Sequence, residues 1–206
     1  MLTALDTVCQ STLTKRLQTE FGGVFGTALS WIQSHIHDRT QIMKLGQNRS
    51  SETTLEVGVP QGSVLGPLLF AVYCSPVADV IVSHGVRCHQ YADNTQHHLA
   101  MRVDNTAIGM SILADCTTDS KQWYMQNGLQ LNPDNSEALF MGTATQLRAV
   151  SSLTSVSVAN VDLPVADSMR VLRVTLDRRL TFDNHASAVA RSCITTRVRS
   201  ATYAIY

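Results

Sequence analysis

The chain has 206 residues, net formal charge zero and only 16% charged residues, against about 25% in ordinary domains. This excludes a strongly basic nucleic-acid binder on the whole-chain average, an acidic solvated tail and a collagen-like or grossly disordered chain. Five scattered cysteines, odd in number and with no C-x-x-C pair, argue against a disulfide framework or zinc ribbon and for a reducing compartment.

The first ten residues hold no basic run followed by an apolar one, so no signal peptide is expected. The most apolar stretch, residues 64–82, carries Pro67, Pro76 and Asp79, so no membrane span of about 20 apolar residues is expected. An intracellular protein, cytoplasmic or nuclear, is expected.

Leu13, Leu17 and Phe21 form an i, i+4 stripe stopped by Gly22-Gly23, which predicts a first helix. Phe25, Leu29, Ile32 and Ile36 predict a second, ending at Asp38-Arg39-Thr40. Residues 41–45 and 53–57 read as extended pieces of a loose hairpin. Pro60, Gly62, Gly66 and Pro67 crowd eight residues and force a sharp turn. Pro67 suits the first position of a new helix, whose stripe of Leu68, Leu69, Val72, Tyr73, Val77, Val80 and Ile81 predicts one buried side.

Residues 86–91 and 96–101 predict two short strands around Ala92-Asp93-Asn94-Thr95. Asp and Asn tolerate positive φ, which suits a tight turn. Asp104 is expected to cap a helix with Ile108, Ile112, Cys116 and Trp123 inward, closed by Asn127-Gly128. Further extended pieces are expected at 129–131, 138–141, 156–158, 161–163 and 171–176, then a last helix over 187–206. Residues 170–206 hold seven Arg and two Asp, net +5, so residues 1–169 are net −5. That basic strip is a solvated helix face or a polyanion contact. His97 and His98 are adjacent on a strand and point to opposite faces, so a shared metal ion is not expected.

Five motifs in chain order carry a resemblance. Val57-Gly-Val-Pro-Gln-Gly-Ser-Val-Leu-Gly-Pro67 and Tyr91-Ala-Asp-Asn-Thr-Gln96 resemble two motifs of the reverse transcriptases of non-LTR (LINE-type) retrotransposons. The second resembles the family's Y-A-D-D-T-Q metal-binding hairpin. Leu129 to Glu137 resembles the next motif, Val171 to Asp177 the primer-grip hairpin, and Leu5-Asp6-Thr7-Val8 the tail of the first palm motif.

The resemblance implies an α+β fold, a palm-like antiparallel sheet backed by helices over residues 1–180. A thumb or connection would begin in 181–206, with the fingers missing and the thumb truncated. It implies a Mg²⁺ cofactor and an RNA template with a DNA primer as partners. By resemblance Leu5, Gln61, Gly62, Ser63, Tyr91 and Ala92 border the nucleotide or template, Asn135 lies in the following motif, and Leu172 and Arg173 in the primer grip.

The same comparison implies a degenerate remnant. Asp93 is the surviving ligand carboxylate of the hairpin, and Asn94 replaces its neighbour. The first-motif Asp would fall one place before Met1. Leu5 replaces a flat aromatic, Asn135 a lysine, and Arg173 a glycine whose positive φ an Arg adopts only under strain.

Mg²⁺ needs hard anionic oxygens, so productive metal binding and catalysis are not expected, and weak or no nucleic-acid binding is. The alternatives are an active polymerase module completed by another chain and a domesticated RNA-binding module. The sequence sets no oligomeric state. It also predicts a marginal domain prone to association, since exposed apolar patches favour it.

Overall fold

A computed structural model describes residues 4–20, 23–60 and 62–201, with side-chain exposure to residue 193. Phe21, Gly22, Gln61 and the last residues of the expected final helix lie outside the described residues. The chain is mixed α and β, in two compact units: residues 1–100 with 112–131, and residues 101–111 with 132–206.

In the first unit, a 3-10 turn at Ala4–Thr7 leads into α1 (Gln10–Thr19), which buries Leu13 and Leu17. The second helix, α2 (Gly26–Ile36), buries Leu29 and Ile36. Phe25 lies before it and is exposed, so the buried stripe begins at Leu29, four residues later than the spacing suggested. The helix also ends earlier, because Asp38 takes φ +55 and Arg39 already starts a strand.

The expected loose hairpin is tiered. β1 (Arg39–Gln41) pairs with β4 (Thr53–Leu55), and between them β2 (Lys44–Leu45) pairs with β3 (Asn48–Arg49). The second tier escapes a hydrophobicity reading because its strands are two residues long and exposed.

The helix expected over residues 67–81 is broken into α3 (Gly66–Cys74) and α4 (Val77–Ser83), bent by 41°. Pro76 has no N–H to continue the ladder. The Ser75 hydroxyl donates to the Val72 carbonyl at 2.9 Å, supplying the donor that the proline lacks. Leu69, Phe70, Tyr73, Cys74, Val77 and Ile81 face the core, whereas Leu68 is exposed and Val80 half-buried.

β5 (Arg87–Tyr91) and β6 (Asn94–His98) form an antiparallel hairpin. β6 therefore includes Asn94 and stops three residues before the expected end. A 3-10 turn at Val103–Asn105 precedes α5 (Thr106–Gln126). Asp104 does not cap it: its carboxylate takes two hydrogen bonds from Arg102, both 3.1 Å. Ile108 is exposed, and the inward row runs through Cys116, Ser120 and Tyr124. Gly128 at φ +70 ends the helix as expected.

One core binds this unit together: Val8, Leu13 and Leu17 pack with Leu69, Phe70, Tyr73, Val77 and Ile81, and with Val86, Cys116, Tyr124 and Leu129. Arg16 threads through it. Its guanidinium lies 4.7 Å over the Tyr73 ring and 5.2 Å from the Trp123 ring. It also donates to the Tyr73 carbonyl and the Asn127 side chain.

The second unit is built from short ribbons. A 3-10 turn at Pro133–Asn135 and α6 (Ala144–Ala149) precede β7 (Ser155–Val158) paired with β8 (Val161–Pro164), and β9 (Ser168–Val171) paired with β10 (Val174–Asp177). Val156, Ala159 and Leu163 are buried. Residues 129–131 join no ladder, and of 138–141 only Ala138 makes a bridge, to Val165. The strand expected over 171–176 is broken by a turn at Leu172–Arg173, which leaves Val171 in β9 and residues 174–176 in β10. α7 (Asp183–Ala201) starts four residues earlier than expected.

Its start is prepared by Asp177, whose carboxylate accepts backbone N–H bonds from Arg179, Thr181 and Phe182 and one from the Thr181 hydroxyl. Partial burial opposes ionisation, but these hydrogen bonds outweigh it and hold the carboxyl at about 2.

All strand pairs among the described residues are antiparallel and two-stranded. The antiparallel pairing matches the expectation; the single sheet is divided into separate ribbons.

Candidate functional site

The first-unit motifs meet at two places. Residues 4–10 clasp residues 57–59: Cys9 bridges Val57, the Gly58 N–H donates to the Val8 carbonyl at 2.7 Å, and the Val59 N–H to the Leu5 carbonyl at 2.9 Å. The Gln10 side chain, 5% exposed, donates to the Gly58 carbonyl at 3.2 Å. Leu5 is half-buried and packs on the core. Gly58 has φ +94, and a Cβ there would lie 3.1 Å from the Asp6 carbonyl oxygen.

Downstream, Ser63 uses its hydroxyl locally, donating to the Pro60 carbonyl and accepting the Gly66 N–H, both at 2.9 Å. This staples the turn ahead of α3. Gly62 takes φ +76 with open space where a side chain would be, so the turn itself requires glycine there. Beside the clasp, Cys9 stands at the N-terminus of α1. Hydrogen bonds from Ser11 and Thr12 outweigh burial and lower its thiol to about 7.

The hairpin is the second place. Tyr91 pairs with Asn94, so Ala92 and Asp93 alone make the turn. Positive φ falls on Ala92 (+52) and not on Asp93 or Asn94, against the sequence expectation. Tyr91, Asp93 and Asn94 are exposed. Asp93 offers a carboxylate at the tip; Asn94 offers a neutral amide on the adjoining strand.

One rung below, Gln90 pairs with Thr95, and both reach Tyr124 on α5. The Thr95 and Tyr124 hydroxyls are 2.7 Å apart, and the Gln90 amide donates to the Tyr124 oxygen at 3.2 Å. Burial pushes the Tyr124 hydroxyl up, which keeps it neutral. Further along β6, burial and the neighbouring imidazoles push His97 and His98 down.

The remaining residues singled out by sequence lie in the second unit. Asn135 is exposed in the 3-10 turn after Asn132, whose side chain accepts the Asp134 N–H. Leu172 and Arg173 form the β9–β10 turn, with φ +46 and +71. Two consecutive non-glycine residues there carry the strain expected of Arg173, about 1–2 kcal/mol per residue. Arg173→Gly is therefore expected to stabilise the protein by about 0.5–1 kcal/mol, less than the strain removed because glycine loses more entropy on folding. The denaturation midpoint of the purified variant measures this.

Gln10, Gln90, Thr95 and Tyr124 were not visible as site residues. The one available signal was the Cys116, Ser120, Tyr124 spacing, masked by the polar Ser120 in its middle.

A family comparison covers the glycine-rich turn and the hairpin alike. Residues 11–176 match the model of the reverse transcriptase (RNA-dependent DNA polymerase) family. The chain belongs to that family.

Its relatives place this reverse transcriptase domain in the LINE-type group. It is 28% identical to the probable RNA-directed DNA polymerase from transposon BS of Drosophila melanogaster, over 79% of this chain and 18% of that protein. It is 26% identical to the RNA-directed DNA polymerase from mobile element jockey of the same fly, over 78% of this chain and 17% of the relative. The probable RNA-directed DNA polymerase from transposon X-element is 27% identical over 77% of this chain. The chain thus spans under a fifth of the length of these relatives.

Proposed function

We propose that residues 1–180 are the palm-like part of this reverse transcriptase domain, that residues 181–206 lead toward a thumb, and that the chain does not itself add nucleotides. The observation that carries the second half is Asn94. Nucleotide addition by this family is a two-metal phosphoryl transfer, in which cations clamp the attacking and leaving oxygens. Mg²⁺ selects charged oxygen ligands in near-octahedral geometry. The hairpin pairs one exposed carboxylate, Asp93, with a neutral amide, and no other acidic residue lies on its strands. This donor set does not fit a pair of Mg²⁺ ions, and no reaction step is derived through them.

Two further features support loss of function at otherwise preserved motifs. The Ser63 hydroxyl is spent on the turn before α3, and Arg173 holds a strained turn that glycine would relax. The core beneath the hairpin is intact, as expected where packing has been retained and charge has not.

Primer extension tests the reading. The purified chain, given a primed RNA template, deoxynucleotides and Mg²⁺ or Mn²⁺, is expected to yield no extended product. Extension that disappears in Asp93→Ala would overturn it. Extension seen only after adding an upstream segment of a related polymerase would support instead a module completed by another chain.

A further inference from the structure

We propose that the Tyr124 hydroxyl is a positioning residue for the turn that carries Asp93, fixing the turn's conformation from α5. The turn needs such a hold. Its positive φ falls on Ala92, an L-residue that pays about 1–2 kcal/mol to sit there. Strained backbone of this kind persists only where surrounding contacts over-determine it.

The contacts are placed for that purpose. Gln90 and Thr95 form the rung next to Tyr91 and Asn94, immediately below the two-residue turn. Their side chains and the Tyr124 hydroxyl close a triangle of hydrogen bonds at 2.7, 3.2 and 3.4 Å. The anchor itself is held: Tyr124 is 6% exposed, and its ring meets Trp123 edge-on at 5.3 Å between centroids. One side of the hairpin tip is thus tied to a buried tyrosine, while Tyr91, Asp93 and Asn94 stand free above it.

The proposal rests on this hairpin being the reverse transcriptase one. It is read through backbone conformation, not through primer extension, so failure of either is distinguishable from failure of the other.

The test is nuclear magnetic resonance of the whole chain, wild type against Tyr124→Phe. Two readouts are followed: the intraresidue HN–Hα nuclear Overhauser effect of Ala92, which is strong only at positive φ, and amide hydrogen exchange. Tyr124→Phe is expected to weaken that Ala92 effect and to speed exchange over residues 89–97 by about tenfold, the size of one lost hydrogen bond. The core of α1, α3 and α4 is expected to exchange at its wild-type rate.

An unchanged Ala92 Overhauser effect overturns the proposal, whether exchange is unchanged or rises uniformly across the core. If Tyr124→Phe does not fold, Thr95→Val, which removes the partner hydroxyl, is judged by the same two readouts. Thr95→Ser, which keeps that hydroxyl, is expected to retain the wild-type effect; failure to do so counts against the proposal.

Discussion

Replacing Arg16 by methionine is expected to cost about 3 kcal/mol of stability, the larger part of it from lost hydrogen bonds. Methionine keeps most of the aliphatic length, so the loss isolates the guanidinium. That group donates to the Tyr73 carbonyl and to the Asn127 side chain. Hydrogen bonds of charged groups contribute about 1.5–3 kcal/mol each before partial exposure is counted. Stacking on Tyr73 and Trp123 adds about 0.5–2 kcal/mol.

The same site explains why lysine is a poor substitute. An ammonium cannot lie flat between two rings and donate in two fixed directions. Urea unfolding followed by far-ultraviolet circular dichroism measures both variants, and a cost below about 1 kcal/mol for Arg16→Met would show that the guanidinium is solvated and dispensable.

Gly58→Ala is expected to cost about 3 kcal/mol from two separate causes. The first is conformational: φ is +94, outside what alanine adopts readily. The second is steric: the added methyl would lie 3.1 Å from the Asp6 carbonyl oxygen and 3.3 Å from its Cα. Those are backbone atoms of the segment whose Leu5 and Val8 carbonyls hold Val59 and Gly58, so they cannot swing aside as a side chain would. The clasp has to open. Thermal unfolding gives the total cost, and hydrogen exchange at the Gly58 and Val59 amides locates it. Gly62→Ala separates the two causes, because φ there is +76 with nothing near the missing side chain; its cost should be nearer 1 kcal/mol.

Much of the first unit was legible because its signals are local. The i, i+4 rows of α1 and α2 name Leu13, Leu17, Leu29 and Ile36, and all four are buried. The glycines at 62 and 128, expected at a sharp turn and at a helix end, sit at positive φ. The hairpin strands and their turn were expected within three residues.

What escaped depends on contacts distant in sequence or on polar atoms doing apolar work. The break at Pro76 was hidden because the apolar spacing runs straight through it. Asp104 resembled a cap because its partner, Arg102, precedes the helix. Tyr124 and Gln10 join the site through hydrogen bonds spanning tens of residues, which no periodicity encodes. The expectations for Asp93 and Asn94 came from family resemblance and not from spacing. The turn strain at Ala92, by contrast, lay outside both kinds of reading.

Four of the ribbons close over two-residue turns, at 46–47, 92–93, 159–160 and 172–173. Bringing such strands together consumes little chain entropy, and hairpins of this kind form within about 1–10 μs. Strand registration is therefore early and cheap in this chain. The contact of Arg16 with Asn127 draws together points 111 residues apart, so closing it costs more chain entropy than any of these turns.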